Sequence, residues 1–103
     1  MKGLTIQIQP PRSPGLDVAA TVARLKCLAV GARVTEGEDE GPYVNVNFKV
    51  ADLTGLWASV QEELRAMTEL SVAAIVVCEG DDGWDDYRLL HHFDPAEPLD
   101  QLV

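Results

Sequence analysis

The sequence contains few of the residues on which catalytic and metal sites depend. Its 103 residues include only two cysteines and two histidines, and no CxxC or HxxxH-like pair has the spacing of metal ligands. No G-x-S-x-G elbow surrounds Ser13, Ser59 or Ser71, and neither a G-x-G-x-x-G fingerprint nor a P-loop is present. We therefore expect no cofactor, no metal and no enzymatic activity.

Long apolar runs are also missing. The longest, Val72 to Cys78, has seven residues, whereas a membrane-spanning helix requires roughly 18. The N-terminus alternates apolar and polar residues from Leu4 to Gln9, which differs from the unbroken apolar stretch of a signal peptide. These features predict a cytoplasmic protein that does not bind membranes.

The two cysteines are the next scarce feature. Cys27 and Cys78 each lie within an apolar stretch, where a free thiol packs as a small hydrophobic side chain. We therefore predict two buried, reduced and poorly reactive thiols. A disulfide is the alternative.

Basic residues are scarce in the second half of the chain. Residues 1–49 contain five acids and six bases, whereas residues 50–103 contain twelve acids against only Arg65 and Arg88, and the net charge is −9. Nucleic-acid binding depends on lysine and arginine displacing counterions, so we expect no nucleic-acid partner. The charge instead favours a basic protein as the partner.

The spacing of apolar residues predicts both strands and helices. Helical spacing predicts one helix with Ser13 as its N-cap and Gly31 as its end, and a second helix capped by Asp52. Alternation or apolar density predicts five strands, at residues 4–9, 32–36, 44–50, 72–78 and 87–93.

This β-α-β-β-α-β order with one more strand resembles the ferredoxin-like plan, an antiparallel α+β sandwich with two helices on one face of the sheet. The resemblance implies the strand order 4-1-3-2, with the additional C-terminal strand beside the fourth. The resemblance covers about residues 4–93. We predict one domain over residues 1–93 and a flexible tail over residues 94–103. The predicted core consists of Leu4, Ile6, Ile8, Val18, Val22, Leu25, Val44, Val46, Phe48, Leu56, Trp57, Val60, Leu64, Ile75 and Val77.

Two acidic turns, at residues 36–40 and 79–86, are the first candidate sites. The second fails the EF-hand pattern, and the topology places the two turns at opposite ends of the sheet. The second turn also contains a tryptophan, which is typical of an interface anchor when it is exposed. Folding back over its own hairpin is the alternative for that tryptophan. The candidate partner-binding residues are Asp81, Asp82, Trp84, Asp85, Asp86 and Tyr87.

The histidines form one cluster, His91 and His92 with Asp94. Neighbouring residues on a strand point to opposite faces, so the two rings cannot hold one ion together unless a bulge intervenes. We expect one histidine to pack against the edge of the core and the other to meet solvent.

The hypothesis that follows is a small acidic protein-binding module, which acts as an inhibitor, an immunity-type antidote or an accessory subunit. We expect a monomer or a weak homodimer. The alternative is a dimeric small-molecule-binding or sensing domain that uses the polar face of the sheet. That face would present Thr5, Gln7, Gln9, Tyr43, Asn45, Asn47 and Lys49.

Overall fold

Alternating apolar and polar residues form a central antiparallel sheet. The computed structural model describes residues 2–28, 33–38 and 42–101. The strands are β1 (Lys2–Ile8), β2 (Arg33–Glu38), β3 (Val44–Val50), β4 (Ala74–Gly80) and β5 (Gly83–His91). The helices are α1 (Val18–Lys26), α2 (Leu53–Ala66) and α3 (Thr68–Ser71), and a 3₁₀ turn covers Pro10–Arg12. The predicted α+β class is confirmed.

The sheet has the strand order β2-β3-β1-β4-β5, and every neighbouring pair is antiparallel. Leu4 of β1 lies opposite Phe48 on one side and Cys78 on the other. Directly opposite residues of an antiparallel pair share a face. Leu4, Phe48 and Cys78 therefore define what we call the inner face.

The inner face carries the core. Leu4, Ile6 and Ile8 are fully buried there, and they pack in one cluster with the buried residues of α1, α2 and α3. The prediction that Ile75 and Val77 belong to the core is wrong. Ile75 lies opposite Gln7 and Val77 lies opposite Thr5, on the other face of the sheet. They face outward and are half-buried. When every residue of a strand is apolar, the sequence does not indicate which alternate residues face the core. The outward orientation of Ile75 and Val77 could therefore not be predicted.

The first helix begins later than predicted. Ser13 closes the 3₁₀ turn, since its N–H donates to the carbonyl of Pro10, 3.0 Å away. Asp17 is the N-cap of α1, and its carboxylate accepts a hydrogen bond from the N–H of Ala20 at 3.1 Å. The predicted helix end at Gly31 lies outside the described residues.

The second helix begins as predicted. Asp52 caps α2 by accepting a hydrogen bond from the N–H of Gly55 at 2.9 Å. Met67 then adopts an extended conformation, and the unpredicted α3 follows it and buries Leu70. In the described part of the chain no helix is long and apolar enough to cross a membrane.

The last hairpin is tighter than predicted. β4 continues to Gly80 and β5 starts at Gly83, so only Asp81 and Asp82 remain between the strands. Gly83 has φ +71°, a conformation that glycine adopts without strain. Trp84 to Asp86 therefore belong to β5, where the pairing with β4 is irregular, and the strand does not begin at Tyr87 as expected.

Candidate protein-binding surface

Two large aromatic side chains are exposed on β5. Trp84 is 44% exposed and Tyr87 is 58% exposed, three residues apart on a strand at the edge of the sheet. Asp82 and Asp85 are exposed beside them. All six predicted partner-binding residues lie in this one hairpin, and we call Asp81, Asp82, Trp84, Asp85, Asp86 and Tyr87 the hairpin surface.

Trp84 lies against the start of β1. A Cβ atom built on Gly3 would be 3.0 Å from Cζ2 of Trp84 and 3.1 Å from Oε2 of Glu79. The Gly3 N–H donates to the Glu79 carboxylate, which also lies 3.4 Å from Nζ of Lys49. The absence of a side chain at Gly3 thus allows the indole to approach the strand closely. The ring has support from one strand and remains almost half exposed.

Asp86 has a structural role that the sequence did not reveal. Its carboxylate accepts hydrogen bonds from the backbone N–H groups of Asp81, at 3.0 Å, and Asp82, at 2.8 Å. These bonds hold the turn closed from the opposite strand. Asp86 is therefore part of the hairpin's framework, and neutralising it is not equivalent to neutralising its exposed neighbours.

Asp81 lies between two basic side chains. Its carboxylate is 3.9 Å from Nζ of Lys2 and 3.7 Å from a guanidinium nitrogen of Arg88. These cations reduce the negative potential at the tip of the hairpin. Of the four aspartates of the hairpin surface, Asp82 and Asp85 therefore remain as exposed acids that a partner could contact.

The two acidic turns lie at opposite ends of the sheet, as the predicted topology required. The end of β2 and the start of β3 lie beside Ile8, whereas Gly80 lies toward the Lys2 end of β1. Residues 39–41 of the first turn lie outside the described residues. Among those described, no group of three histidine, cysteine or acidic residues could hold a metal ion.

Both histidines are half-buried, and the hydrogen bond of the His92 ring lies at an exposed position whereas that of His91 is partly buried. Nε2 of His91 lies 2.9 Å from the carbonyl oxygen of Ser71, and Nδ1 of His92 accepts a hydrogen bond from the N–H of Asp94 at 3.0 Å. Each ring is thus engaged with nearby backbone. Their separate partners give no reason to assign them a shared chemical role.

The two thiols differ, although the sequence predicted that both are buried. Cys78 lies in the core, and burial raises its pKa, with Arg88 and Lys2 acting in the opposite direction. Cys27 is exposed, and it lies at the C-terminus of α1, directly after Lys26. Both are free thiols, as predicted.

The outer face of the sheet carries polar groups that bond to one another. Thr5 donates to the Asn47 side chain at 2.8 Å, and Gln9 donates to Gln7 at 2.9 Å. Arg12 donates to Gln9 at 2.7 Å. These mutual bonds occupy groups that a polar ligand would have to engage, so this face supports the small-molecule alternative less well than the hairpin supports docking.

Comparison of the chain with protein-family models, curated proteins and solved structures finds no match. The functional inference therefore depends on the geometry of the hairpin surface. Its central feature is the pair of exposed aromatic side chains, Trp84 and Tyr87.

Proposed function

We propose that this chain is a small acidic protein-binding module that docks a basic protein through the hairpin surface. We further propose that it is built on a ferredoxin-like sheet with an additional C-terminal strand, which the strand order β2-β3-β1-β4-β5 supports. The observation that carries the functional proposal is the exposure of Trp84 and Tyr87 on one edge strand. In this role the chain is a cytoplasmic inhibitor, immunity-type antidote or accessory subunit, and not an enzyme.

Aromatic side chains are effective anchors in protein interfaces. Tryptophan and tyrosine bury a large area at little cost in side-chain entropy, and they are enriched among the residues that dominate binding energy. Trp84 has support from Gly3 on one side, so less of its freedom is lost when a partner covers the other. The indole is thus partly ordered before the encounter.

The acids of the hairpin have a different role from the aromatic anchors. Exposed charges steer a basic partner during diffusion and mainly change the association rate. Lys2 and Arg88 lie beside Asp81, so we assign the steering to Asp82 and Asp85. Asp86 remains outside this set because its carboxylate bonds to turn amides.

The test begins with affinity capture of partners from native lysate and continues with binding kinetics of a captured basic protein. Asp82→Asn combined with Asp85→Asn should slow association. The difference in association rate from the parent should shrink as salt rises from 0.05 to 0.3 M, since the Debye length becomes shorter at higher salt. Trp84→Ala should mainly speed dissociation, by tenfold or more if Trp84 is a hot spot. These two variants separate steering from anchoring.

The matched control is Glu62→Gln combined with Glu69→Gln. Both residues are exposed on helices, and the pair changes the net charge by the same amount as the hairpin pair. The association rate of this control variant should stay closer to that of the parent than the rate of the hairpin variant does. Equal slowing by the two pairs would mean that only total charge matters, and unchanged dissociation of Trp84→Ala would remove the anchor from the proposal.

A further inference from the structure

The end of the described chain lies along the outer edge of β5. The N–H of Asp100 donates to the carbonyl of Leu89 at 2.7 Å, and the N–H of Leu89 donates to Oδ2 of Asp100 at 2.8 Å. Asp100 therefore satisfies both backbone groups that Leu89 directs to this edge. Its carboxylate takes the place of a carbonyl from a neighbouring strand. Edge strands of this kind accept extended peptides by adding a strand.

An open groove lies beside this contact, between α2 and β5. Two adjoining clefts, of about 490 Å³ and 290 Å³, share the side chains of Trp57, Gln61, Leu90 and Leu99. Leu99 nevertheless remains 52% exposed. The chain's own tail thus occupies only part of the available space, and apolar surface on α2 and β5 is left for a better-fitting side chain.

We propose that the edge of β5 at Leu89 and the groove beside Trp57 form a second docking site, which binds an extended peptide containing an aliphatic residue followed directly by an acidic one. The tail itself shows this chemistry, because Leu99 lines the groove while Asp100 pairs with the edge. Arg65 lines the second cleft and favours an acidic peptide. The site is separate from the hairpin surface and does not depend on its role.

The tail is an internal competitor for this site. A partner can bind only when the tail is displaced, so its observed affinity falls with the fraction of molecules in which the groove is open. The tail is held at Leu89 by two hydrogen bonds on an exposed edge, and contacts of this kind open at low free-energy cost. Weakening the tail should therefore strengthen binding of a peptide added in solution.

The probe is a fluorescent synthetic peptide with the sequence of residues 97–103, titrated into the full-length chain. We expect Asp100→Ala protein to bind it roughly tenfold more tightly than the parent, because the variant's own tail loses a carboxylate hydrogen bond to the edge while the peptide retains it. In ¹⁵N spectra the Leu89 amide and the Trp57 indole should shift on binding. Asp100→Asn should give a smaller gain, and it provides a second variant if Asp100→Ala folds poorly.

Two controls make the result specific. A peptide with alanine in place of both the leucine and the aspartate of the pair should not bind. Trp84→Ala protein should bind the probe as the parent does, which separates this site from the hairpin surface.

The proposal is overturned if the parent and Asp100→Ala proteins bind the probe equally, if neither binds, or if the shifts map away from Leu89 and Trp57. A parent dimer that Asp100→Ala dissolves would also overturn it, because the groove would then take the tail of a second copy.

Discussion

At the scale of single residues, the hairpin surface depends on a residue that carries no side chain. Gly3 lies on β1, 81 positions before Trp84 in the sequence, and the pairing of β1 with β4 and of β4 with β5 brings the two together. Patterns over a few neighbouring residues do not reveal a contact between residues so far apart in the sequence. The exposure of Trp84 could be anticipated from the acids around it, but its supporting strand could not.

Replacing Gly3 tests this contact directly. In Gly3→Ala the new Cβ would meet the indole at 3.0 Å, and we expect the ring to swing outward with a loss of about 1 kcal/mol in the free energy of unfolding. With Trp57→Phe as a common background, Trp84 emission should shift to longer wavelength. Gly37→Ala is the control, because a Cβ there meets nothing within 4 Å. Identical emission in the two variants would contradict the packing of Trp84 on Gly3.

The two thiols provide a second test at this scale. At pH 8 a thiol reagent should label the exposed Cys27 rapidly in the native protein and the buried Cys78 only in denaturant. Cys27→Ser should abolish the fast phase of labelling. Because burial raises the pKa of Cys78 in the folded state, its contribution to stability is complete at neutral pH. That contribution is lost as the pH rises above the ordinary thiol pKa of about 8.5.

Urea midpoints at pH 7.5 and 10 measure this loss. The parent should lose more stability over this interval than Cys78→Ala, which has no thiol to ionise at that position. Parallel losses in the two proteins would show that the burial of Cys78 does not control the alkaline response.

At the scale of elements, the sequence predicts regular segments well and their ends less well. The alternation of Val44, Val46, Phe48 and Val50 fixes both the strand and its inner face. A serine followed by proline is typical of a helix N-terminus, so the sequence predicts that α1 begins at Ser13. In the structure the N–H of Ser13 donates to the carbonyl of Pro10 and closes a 3₁₀ turn. The carboxylate of Asp17 accepts from the N–H of Ala20 and caps the helix that begins at Val18.

The cap of α1 can be located by mutation. Asp17→Ala should lower the free energy of unfolding by about 1 kcal/mol, since the N–H of Ala20 loses its acceptor. Ser13→Ala should cost less, because Ser13 makes its turn bond through the backbone. Urea denaturation of both variants measures the difference. The reverse order of stabilities would restore Ser13 as the cap.

At the scale of the whole molecule, strand pairing brings basic residues of the first half of the sequence beside acids of the second half. The acid-rich second half supplies β4 and β5, but β1 lies between β3 and β4 and brings Lys2 to Asp81. Lys49 of β3 likewise reaches Glu79 of β4. Counting charges by sequence halves therefore overstates the negative potential of the hairpin, because strand pairing between distant segments mixes the halves.

The net charge of −9 still acts on the molecule as a whole. The principal dimensions are 36 × 32 × 27 Å, and the Debye length is roughly 30 Å at 0.01 M salt but about 10 Å at 0.1 M. At low salt nearly all the acids therefore repel one another within the folded chain, which destabilises its compact state. Raising the salt screens this repulsion, so we expect the urea midpoint to rise between 0.01 and 0.15 M sodium chloride.

Exposed ion pairs act in the opposite direction, since the same salt weakens contacts such as Arg24–Glu63 and Lys26–Glu36, both at 2.6 Å. Exposed pairs contribute about 0–1 kcal/mol each, whereas the repulsion involves every unbalanced acid, so we expect repulsion to dominate. Asp82→Asn combined with Asp85→Asn removes two negative charges and leaves the turn bonds of Asp86 in place. That variant should be more stable than the parent at 0.01 M salt and nearly equal to it at 0.15 M. A midpoint that falls with salt in both proteins would mean that the ion pairs outweigh the net charge.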